Sequence, residues 1–460
     1  MKGDSMIYPL FSGLLFFLSS VAISGETDES MQSILGGFEG TTEIETIDVG
    51  AIHKGQSPID YSLLFDLSTS YKYDQEKSGP EFSDYSGFNR AKIRLFPEIK
   101  SKLGKTWQAK INANFFVDAI YQIRGRKNYT KETLDAYETE SDLWEAYIQG
   151  AVTSNLDLKL GRQIVLWGKS DGVRVVDVLN PLDKRELGMV DIADLRIPLT
   201  MAKLDYYFGQ WQLSALAIPE LSFGKLPSYG SEFYPVAQPL PNEELPEKNV
   251  ENFEYASALN GRFNGWDLSF HAATYYDDNF HFAADPTRKP TLKHSRITML
   301  GSAINYVIGN SVLKAELATK QGFQYFSTPS DKYSRIDSTI GIDISGFNNT
   351  LITVELADEY TLNYDSRLSN LPDQREEHEV VLFTRISMDF LREKLNLSGV
   401  SARYGIDRMD GGFSRIQLSY ELFDTTTFTL GSVVYQSGNK QLFQSISDND
   451  RVFAQLTLII

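Results

Sequence analysis

The chain has 460 residues, no cysteine and a formal net charge of −17. It contains no block of basic residues, so nucleic acid is excluded as the expected partner. A chain without cysteine crosses an oxidising compartment without forming disulfides, which suits an exported protein.

Residues 1–25 have the pattern of a secretory signal peptide. Lys2 precedes an apolar stretch, 6–23, and the small residues Ala22 and Ser24 come just before the expected cleavage near Gly25. An anchoring membrane helix is the alternative. No later apolar run is long enough for a spanning helix, so an exported chain of this kind is either soluble or crosses a membrane as a closed barrel. Residues 26–60 are predicted to form a periplasmic or lumenal segment.

Beyond residue 60 the sequence repeats one unit, in which two alternating segments of about ten residues are joined by a short turn. We predict 18 strands, with 16 as the alternative count. The predicted strands are 61–73, 88–99, 106–121, 142–152, 156–166, 200–208, 211–218, 254–263, 266–276, 297–307, 311–320, 336–345, 350–359, 378–388, 395–406, 412–423, 427–436 and 451–460.

The connections between these strands alternate between short and long. Turns such as 209–210 and 264–265 contrast with long connections such as 277–296 and 321–335, although the outer connection 407–411 is as short as a turn. Bacterial outer-membrane barrels have short periplasmic turns and long outer loops, whereas a soluble β-sandwich has no reason to sort its connections in this way.

Polarity alternates within the strands, as in 107–121, where the odd positions are apolar and the even ones are mostly polar. All five tryptophans lie at predicted strand ends, where a girdle at the membrane interface places aromatic residues. They are Trp107, Trp144, Trp167, Trp211 and Trp266. The predicted fold is therefore all-β: a transmembrane antiparallel up-and-down β-barrel over 61–460, whose third outer loop, 167–199, folds into the lumen.

No catalytic residue, cofactor or metal site is predicted. The five histidines, among them His271 and His281, read as solvated lumen or loop residues. Acidic clusters at 277–278 and 448–450 offer oxygen ligands of the kind that Ca²⁺ takes, although solvated loop tips are the more usual explanation. What remains is a lumen with charges of both signs, which is tolerated where water fills it. The predicted lumen-lining residues are Arg90, Lys92, Arg94, Lys110, Asp118, Lys159, Lys203, Asp205, Arg403 and Arg415.

Arg162 poses a problem, because strict alternation from Leu160 places it on the lipid face. A β-bulge at Gly161 would turn it into the lumen, to pair with Glu145 or with a carboxylate of the third loop. The alternative is that Arg162 lies near the outer interface and extends to lipid headgroups. The residues predicted to form the constriction and anchor the loop are Arg162, Gln163, Glu145, Asp171, Arg174, Asp177, Asp183, Lys184 and Arg185.

The stretch LGRQ at 160–163, followed by WG at 167–168, aspartates at 171 and 177, and NPLD at 180–183, resembles a known group. This group is a large, mostly uncharacterised family of Gram-negative outer-membrane proteins, and the LGRQ strand is loosely similar to alginate-export-type porins. The resemblance implies an outer-membrane channel, and some family members are linked to export of lipid or hydrophobic compounds. Its matching structural residues are Gly161, Trp167, Gly168, Asn180 and Pro181.

The expected function is a porin-like channel for small polar or charged solutes. One alternative is a dedicated channel for an anionic saccharide or a lipid-like compound, working with an inner-membrane partner. Another is a closed barrel with a binding or enzymatic role. The expected partners are outer-membrane lipid and lipopolysaccharide, small solutes, and the barrel-assembly machinery, which would read the last strand. A homo-oligomer is left open.

Overall fold

The computed structural model describes residues 59–73, 83–190, 192–236, 238–283 and 291–460. The predicted signal peptide lies outside the described residues, and so does the predicted segment 26–60 except for its last two residues, which begin the first strand. The strands, numbered β1 to β18 in chain order, are Ile59–Lys72, Gly87–Leu103, Trp107–Asp118, Thr139–Thr153, Leu156–Gln163, Leu199–Phe208, Trp211–Ile218, Glu254–Phe263, Trp266–Phe282, Leu292–Ile308, Ser311–Tyr325, Thr328–Phe347, Thr350–Leu362, His378–Phe390, Leu395–Tyr404, Gly411–Phe423, Thr426–Gln436 and Arg451–Ile459.

Each strand pairs antiparallel with its neighbours in sequence, and β1 pairs with both β2 and β18. The sheet therefore closes into an 18-stranded barrel, as the alternation predicts. Closure leaves no free sheet edge, so every strand has partners on both sides.

Apolar side chains at alternate positions are exposed on the outer face of the wall. Examples are Leu313 and Leu317 on β11, Val354 and Leu356 on β13, and Leu430 on β17. Wide exposure of such residues is costly in water and is expected against lipid. The outer face is thus built for a membrane environment.

Two of the long connections predicted from the sequence are mostly strand. In place of a loop at 277–296, β9 continues to Phe282 and β10 begins at Leu292. In place of a loop at 321–335, β11 and β12 extend until only residues 326 and 327 join them. The wall of β9–β12 is therefore long, whereas β5–β8 are short, and the two longest loops leave from the short side.

The helices in the described part of the chain are short. They are α1 (Ile120–Ile123), α2 (Lys131–Tyr137), α3 (Gln441–Ile446) and four single turns of 3-10 helix, Arg126–Asn128, Ile192–Leu195, Val250–Asn252 and Ser366–Ser369. Strand β3 ends at Asp118, and α1 begins where the sequence predicted two further strand residues. No helix in the described ranges is long and apolar enough to cross a membrane.

Candidate pore and constriction

Loop 3, residues 164–198, leaves β5 and returns to β6 after crossing the lumen. The Asn180 side chain links the two ends of loop 3. Its Oδ1 accepts the Val165 N–H at 2.8 Å, and its Nδ2 donates to the carbonyls of Gln163 at 3.3 Å and Ile197 at 2.9 Å. The Ile197 N–H donates to the carbonyl of Pro181 at 2.7 Å. Asn180 is fully buried. The NPLD segment therefore joins the outgoing and the returning chain of the loop.

Asp177 stabilises the same turn of the loop by charge. Its Oδ2 accepts hydrogen bonds from Arg196 at 2.7 and 2.9 Å and from Arg174 at 3.1 Å. Arg174 also donates to the carbonyl of Asn180 at 2.7 Å. Charge-assisted hydrogen bonds of this kind are stronger than neutral ones, so the middle of the loop is well determined.

On the far wall, Glu316 of β11 accepts hydrogen bonds from the backbone of loop 3. The donors are the N–H groups of Lys169, Ser170 at 2.8 Å and Val176 at 3.2 Å. Gly168 makes the close approach possible, because its φ is +87° and a Cβ there would lie 2.7 Å from a Glu316 oxygen. One wall carboxylate thus satisfies three backbone donors of the loop.

Glu355 of β13 does the same for the next residues. It accepts the N–H groups of Asp171 at 2.8 Å and Gly172 at 2.9 Å, and the Ser170 hydroxyl at 2.6 Å. The Asp171 carboxylate in turn accepts from Lys314 of β11 at 2.7 Å. The loop is therefore fixed to the wall opposite its origin by its backbone as well as by an ion pair.

Loop 3 also packs apolar side chains against one half of the wall. Trp167 is 8 % exposed, and its ring centroid lies 4.7 Å from that of His271. It therefore lies in the lumen, although its position beside a long loop predicted a place in the outer interfacial girdle. Val176 is fully buried against the bare Gly301 of β10. The wall residues in this cluster are Leu199, Met201, Leu216, Ile218, Ala256, Ala258, Ala273, Tyr275, Ile297, Met299, Ala303, Ala318, Phe323 and Tyr333.

The tip of loop 3 crosses back to the side of β2–β4. Arg185 pairs with Asp183 at 2.5 Å and with Glu140 of β4 at 2.7 Å, and it also donates to the carbonyl of Ala136. The phenol of Tyr137 donates to the Arg185 carbonyl at 3.0 Å. Arg185 therefore holds the tip against the wall, and Asp183 is its partner within the loop.

Glu186 forms a partly buried ion pair with Arg90 of β2. Burial acts to raise the pKa of Glu186, but the charges of Arg90 and Lys92 outweigh it and lower this pKa to about 2. Nearby, the phenol of Tyr435 donates to the Leu187 carbonyl at 2.7 Å. Loop 3 thus contacts both sides of the barrel and is held at each.

Loop 4, residues 219–253, covers the tip of loop 3. The Lys184 N–H donates to the Lys225 carbonyl at 2.7 Å. The ammonium of Lys225 pairs with Glu140 at 3.0 Å and Asp142 at 2.7 Å. A cavity of about 510 Å³ lies beside these charges, bordered by β4, Arg185 and Lys225.

Further along, loop 4 docks on the wall opposite its own strands. Glu232 accepts hydrogen bonds from the Arg451 guanidinium of β18 at 2.8 and 2.9 Å and from Asn89 of β2 at 3.1 Å. The same guanidinium lies 4.9 Å from the ring of Phe233. Because Arg451 is almost fully buried, this pair is shielded from solvent and fixes the loop across the outer mouth.

The predicted lumenal orientation of Arg162 is wrong. Arg162 lies on the outer face, which it shares with the exposed Leu160. The cross-strand partner of Arg162 on β6, Thr200, is also exposed. It donates to the carbonyl of Leu143 at 3.0 Å and forms an ion pair with Glu220 of loop 4. Although burial acts to raise the pKa of Glu220, hydrogen bonds from Thr200 and Arg162 lower it. Arg162 therefore anchors the base of loop 4 from the outer face.

The position of the β-bulge explains why Arg162 faces outward. Gly161 has φ of +126°, and a Cβ there would lie 2.2 Å from the Ala146 carbonyl, but the register with β4 continues through it. The irregularity falls on β4 instead, where Trp144 and Glu145 together oppose one residue of β3. Glu145 pairs with Lys110 at 2.9 Å and not with Arg162. Alternation along β5 is thus preserved, and Arg162 stays outside.

Most of the predicted lumen residues lie on the inner face, and several are held by neighbours. Lys203 pairs with Asp205 at 2.7 Å, and Arg94 lies 3.6 Å from Asp66. Gln163, fully buried, donates to the carbonyls of Gly161 and Met201, both at 3.2 Å. The predicted residues on the inner face are Arg90, Lys92, Arg94, Lys110, Asp118, Lys159, Lys203, Asp205 and Arg415.

Arg403 is the exception. Its neighbour Ala402 pairs with Phe383 and Phe413, whose rings contact glycines of loop 3 inside the barrel. Arg403 therefore points to the opposite, outer face, beside Leu382 on β14. The prediction that Arg403 lines the lumen is wrong, because the β15 strand carries polar residues on both faces and its pattern does not distinguish them.

The inner face divides into a covered and an open side. On β9–β13 the inner side chains, such as Ala273, Met299, Glu316 and Glu355, are buried beneath loop 3. On β15–β18 and β1 many inner positions in the half nearer the short turns are half-exposed, whereas inner positions nearer the outer end, such as Val433, Tyr435 and Arg451, are buried under the loops. The half-exposed positions include Ser68, Asn396, Ser398, Gln417, Ser419, Thr429, Gln455 and Thr457. Solvent within the barrel therefore reaches the wall of β15–β18 and β1 at these half-exposed positions.

The sequence does not distinguish the anchoring carboxylates Glu316 and Glu355 from the other charged residues of the strands. Within a strand, nothing distinguishes a carboxylate that caps a loop from one that faces water. The acidic clusters are also engaged: Asp278 accepts the Gly224 N–H at 3.2 Å, and Asp450 accepts the Tyr435 N–H at 2.7 Å. The described residues contain no group of three His, Asp or Glu suited to a metal ion.

Strand number, closure and loops define a barrel of the outer-membrane porin type, and solved structures share it. A BenF-like porin from Pseudomonas fluorescens Pf-5 matches with a TM-score of 0.51 and 10 % identity, over 88 % of this chain and 98 % of that one. Acinetobacter baumannii OccAB1 matches at 0.50 and 10 %, over 88 % and 98 %. Pseudomonas aeruginosa OccK2 (OpdF), solved in complex with glucuronate, matches at 0.50 and 13 %, over 89 % and 99 %.

The chain belongs to a family of proteins of unknown function, DUF1302, whose model matches residues 81–422. No curated protein matches the sequence. The matched residues include loop 3, loop 4 and strands β2–β15.

Proposed function

We propose that the protein is a porin-like channel of the outer membrane, through which small polar or charged solutes pass by diffusion or facilitated transport. The observation that carries this proposal is the contrast between the covered and the open side of the lumen. Half-exposed polar residues such as Ser419 and Gln455 lie below the crossing loops on the open side. A barrel of this strand number is wide enough to hold an aqueous channel beside an inserted loop.

In this proposal loop 3 is a fixed constriction. Its apolar side is packed in a hydrophobic cluster, and its backbone is held by Glu316 and Glu355. Moving it would expose the cluster and leave buried donors unsatisfied, which is unfavourable. Solutes would therefore pass beside loop 3 along the half-exposed inner positions of β15–β18 and β1.

The test is the ion current of the purified full-length chain in a planar lipid bilayer. The proposal expects steady, stepwise current in potassium chloride. A barrel that inserts but carries no steady current would overturn the channel and favour a closed barrel with a binding or enzymatic role. Insertion is checked separately by the heat-dependent shift in gel mobility that folded barrels show.

A second measurement separates a general channel from a dedicated one. Fluxes of small neutral, anionic and cationic solutes are compared in vesicles that contain the protein. Similar fluxes, ordered mainly by size, support diffusion through a general channel. If only one anionic saccharide or lipid-like compound passes, the general channel is wrong and the dedicated channel is supported.

A further inference from the structure

Hydroxyl and amide side chains lie in register across five neighbouring strands on the open side of the lumen. Asn396 of β15 is opposite Ser419 of β16, and Ser419 is opposite Thr429 of β17. Thr429 is opposite Gln455 of β18, and Gln455 is opposite Ser68 of β1. Cross-strand partners share a face, so these five residues, the hydroxyl row, form one continuous line on the inner wall.

The row runs from the turn end of the barrel towards the outer end. The residue before it in register is Asp389, next to the turn that ends β14. The residue after it is Lys92, in the half of β2 nearer the outer loops. Strands in such barrels are tilted, so a line of cross-strand partners rises along the wall as it passes around it. The hydroxyl row is thus an oblique path through the wall region that loop 3 leaves open.

Hydrogen bonds orient the row's side chains. The Ser419 and Thr429 hydroxyls are 2.9 Å apart. Gln455 donates through Nε2 to Asp66 at 3.1 Å, and Asn396 donates through Nδ2 to Asp389 at 2.7 Å. Both amide side chains are half-exposed. The row therefore offers acceptors as well as donors to the lumen.

We propose that the hydroxyl row is a path of weak binding sites for neutral polyhydroxylated solutes, such as monosaccharides. Neighbouring strands are about 4.8 Å apart, so adjacent members of the row lie close enough to contact two hydroxyls of one sugar ring. Hydroxyl and amide groups exchange hydrogen bonds with such a solute at little desolvation cost on either side. Between Asp389 and Lys92 the five side chains of the row are themselves uncharged, so they bind by hydrogen bonds and not by ion pairs.

This inference rests on the proposed channel function and names its substrate class. Its first test needs no variant. Glucose or the ether triglyme, which is neutral, of similar size and without hydroxyl donors, is added to the wild-type channel in potassium chloride at equal viscosity. Glucose is expected to lower the ion current and increase its noise more than triglyme does. Equal effects of the two solutes would overturn the hydroxyl row while leaving the channel intact. Absence of any current would instead overturn the channel itself.

The second test removes the row's polar groups while keeping their size. Thr429→Val and Gln455→Met are combined, and Thr384→Val on the outer-facing side of β14 is the matched control. Glucose flux into vesicles is expected to fall roughly five- to tenfold in the double variant, as follows from losing one or two hydrogen bonds. Triglyme flux is expected to fall far less than glucose flux. An equal fall of both fluxes, or no fall, would contradict the proposal.

Discussion

Asp171 is held to the far wall twice, because Glu355 accepts its backbone N–H at 2.8 Å while Lys314 donates to its carboxylate at 2.7 Å. The two contacts come from different strands, β13 and β11. A loop anchored in this way cannot swing out without breaking a backbone hydrogen bond and an ion pair together. The predictions below follow from treating loop 3 as a fixed part of the barrel.

Replacing the two anchoring carboxylates should loosen the loop. In Glu316→Gln and Glu355→Gln together, each amide keeps one acceptor but loses its charge, so the hydrogen bonds from the loop backbone weaken. We expect single-channel conductance to increase and its open level to become noisier. Glu132→Gln, at an exposed position of α2 away from the proposed path, is the matched control and should leave the conductance unchanged. A double variant with wild-type current would show that these carboxylates do not hold the constriction.

Asn180→Ala tests the base of the loop. The substitution leaves the Val165 N–H and the carbonyls of Gln163 and Ile197 without their partner in a buried place. Each buried group left unsatisfied costs about 1–3 kcal/mol. We therefore expect a lower unfolding temperature and faster proteolysis between Arg174 and Lys184. Asn310→Ala, in a short turn, is the control. Unchanged proteolysis would mean that the base is held without Asn180.

Strand number and order were predictable because membrane barrels repeat a two-strand unit with alternating polarity. All 18 strands lie where the alternation places them. The interior was less predictable. Strands β6–β10 carry apolar residues on both faces, so Met201 and Met299 gave no sign that they meet an inserted loop. The crossing of loop 4 depends on Glu232 and Arg451, which are 219 residues apart in sequence. Local pattern carries no information about such a pair.

Arg162→Ala tests the corrected position of this residue. Because Arg162 pairs with Glu220 on the outer face, its loss should destabilise the base of loop 4 without changing ion selectivity. The exposed part of such a pair contributes little, so we expect a loss of stability of about 1 kcal/mol, measured by thermal unfolding. Arg162→Lys should restore it in part, since Lys lacks the bidentate geometry. If the reversal potential of the variant differs from that of the wild type, Arg162 lies in the pore and the corrected position is wrong.

The ion pair of Glu186 with Arg90 predicts a pH dependence at the tip of loop 3. The pKa of Glu186 is lowered from its ordinary value of 4.5 to about 2, so the stabilisation is complete above about pH 4.5. It is lost as the pH falls through about 2. Conductance should therefore not rise between pH 7 and pH 5. Glu186→Gln lacks the ion pair at every pH, so its conductance at neutral pH should match that of the wild type in strong acid. Glu132→Gln, on the exposed face of α2, should keep the wild-type conductance.

The central claim is that solutes pass along β15–β18 and β1 and not beneath loop 3. The chain has no cysteine, so single cysteines can be placed without background. Thr429→Cys lies on the open side, and Ala273→Cys lies on the covered side, where Ala273 is 6 % exposed.

The deciding measurement is the single-channel current of each variant before and after a charged, membrane-impermeant thiol reagent is added. The account predicts a stepwise fall in current for Thr429→Cys and no change for Ala273→Cys. A fall for Ala273→Cys with none for Thr429→Cys would contradict it.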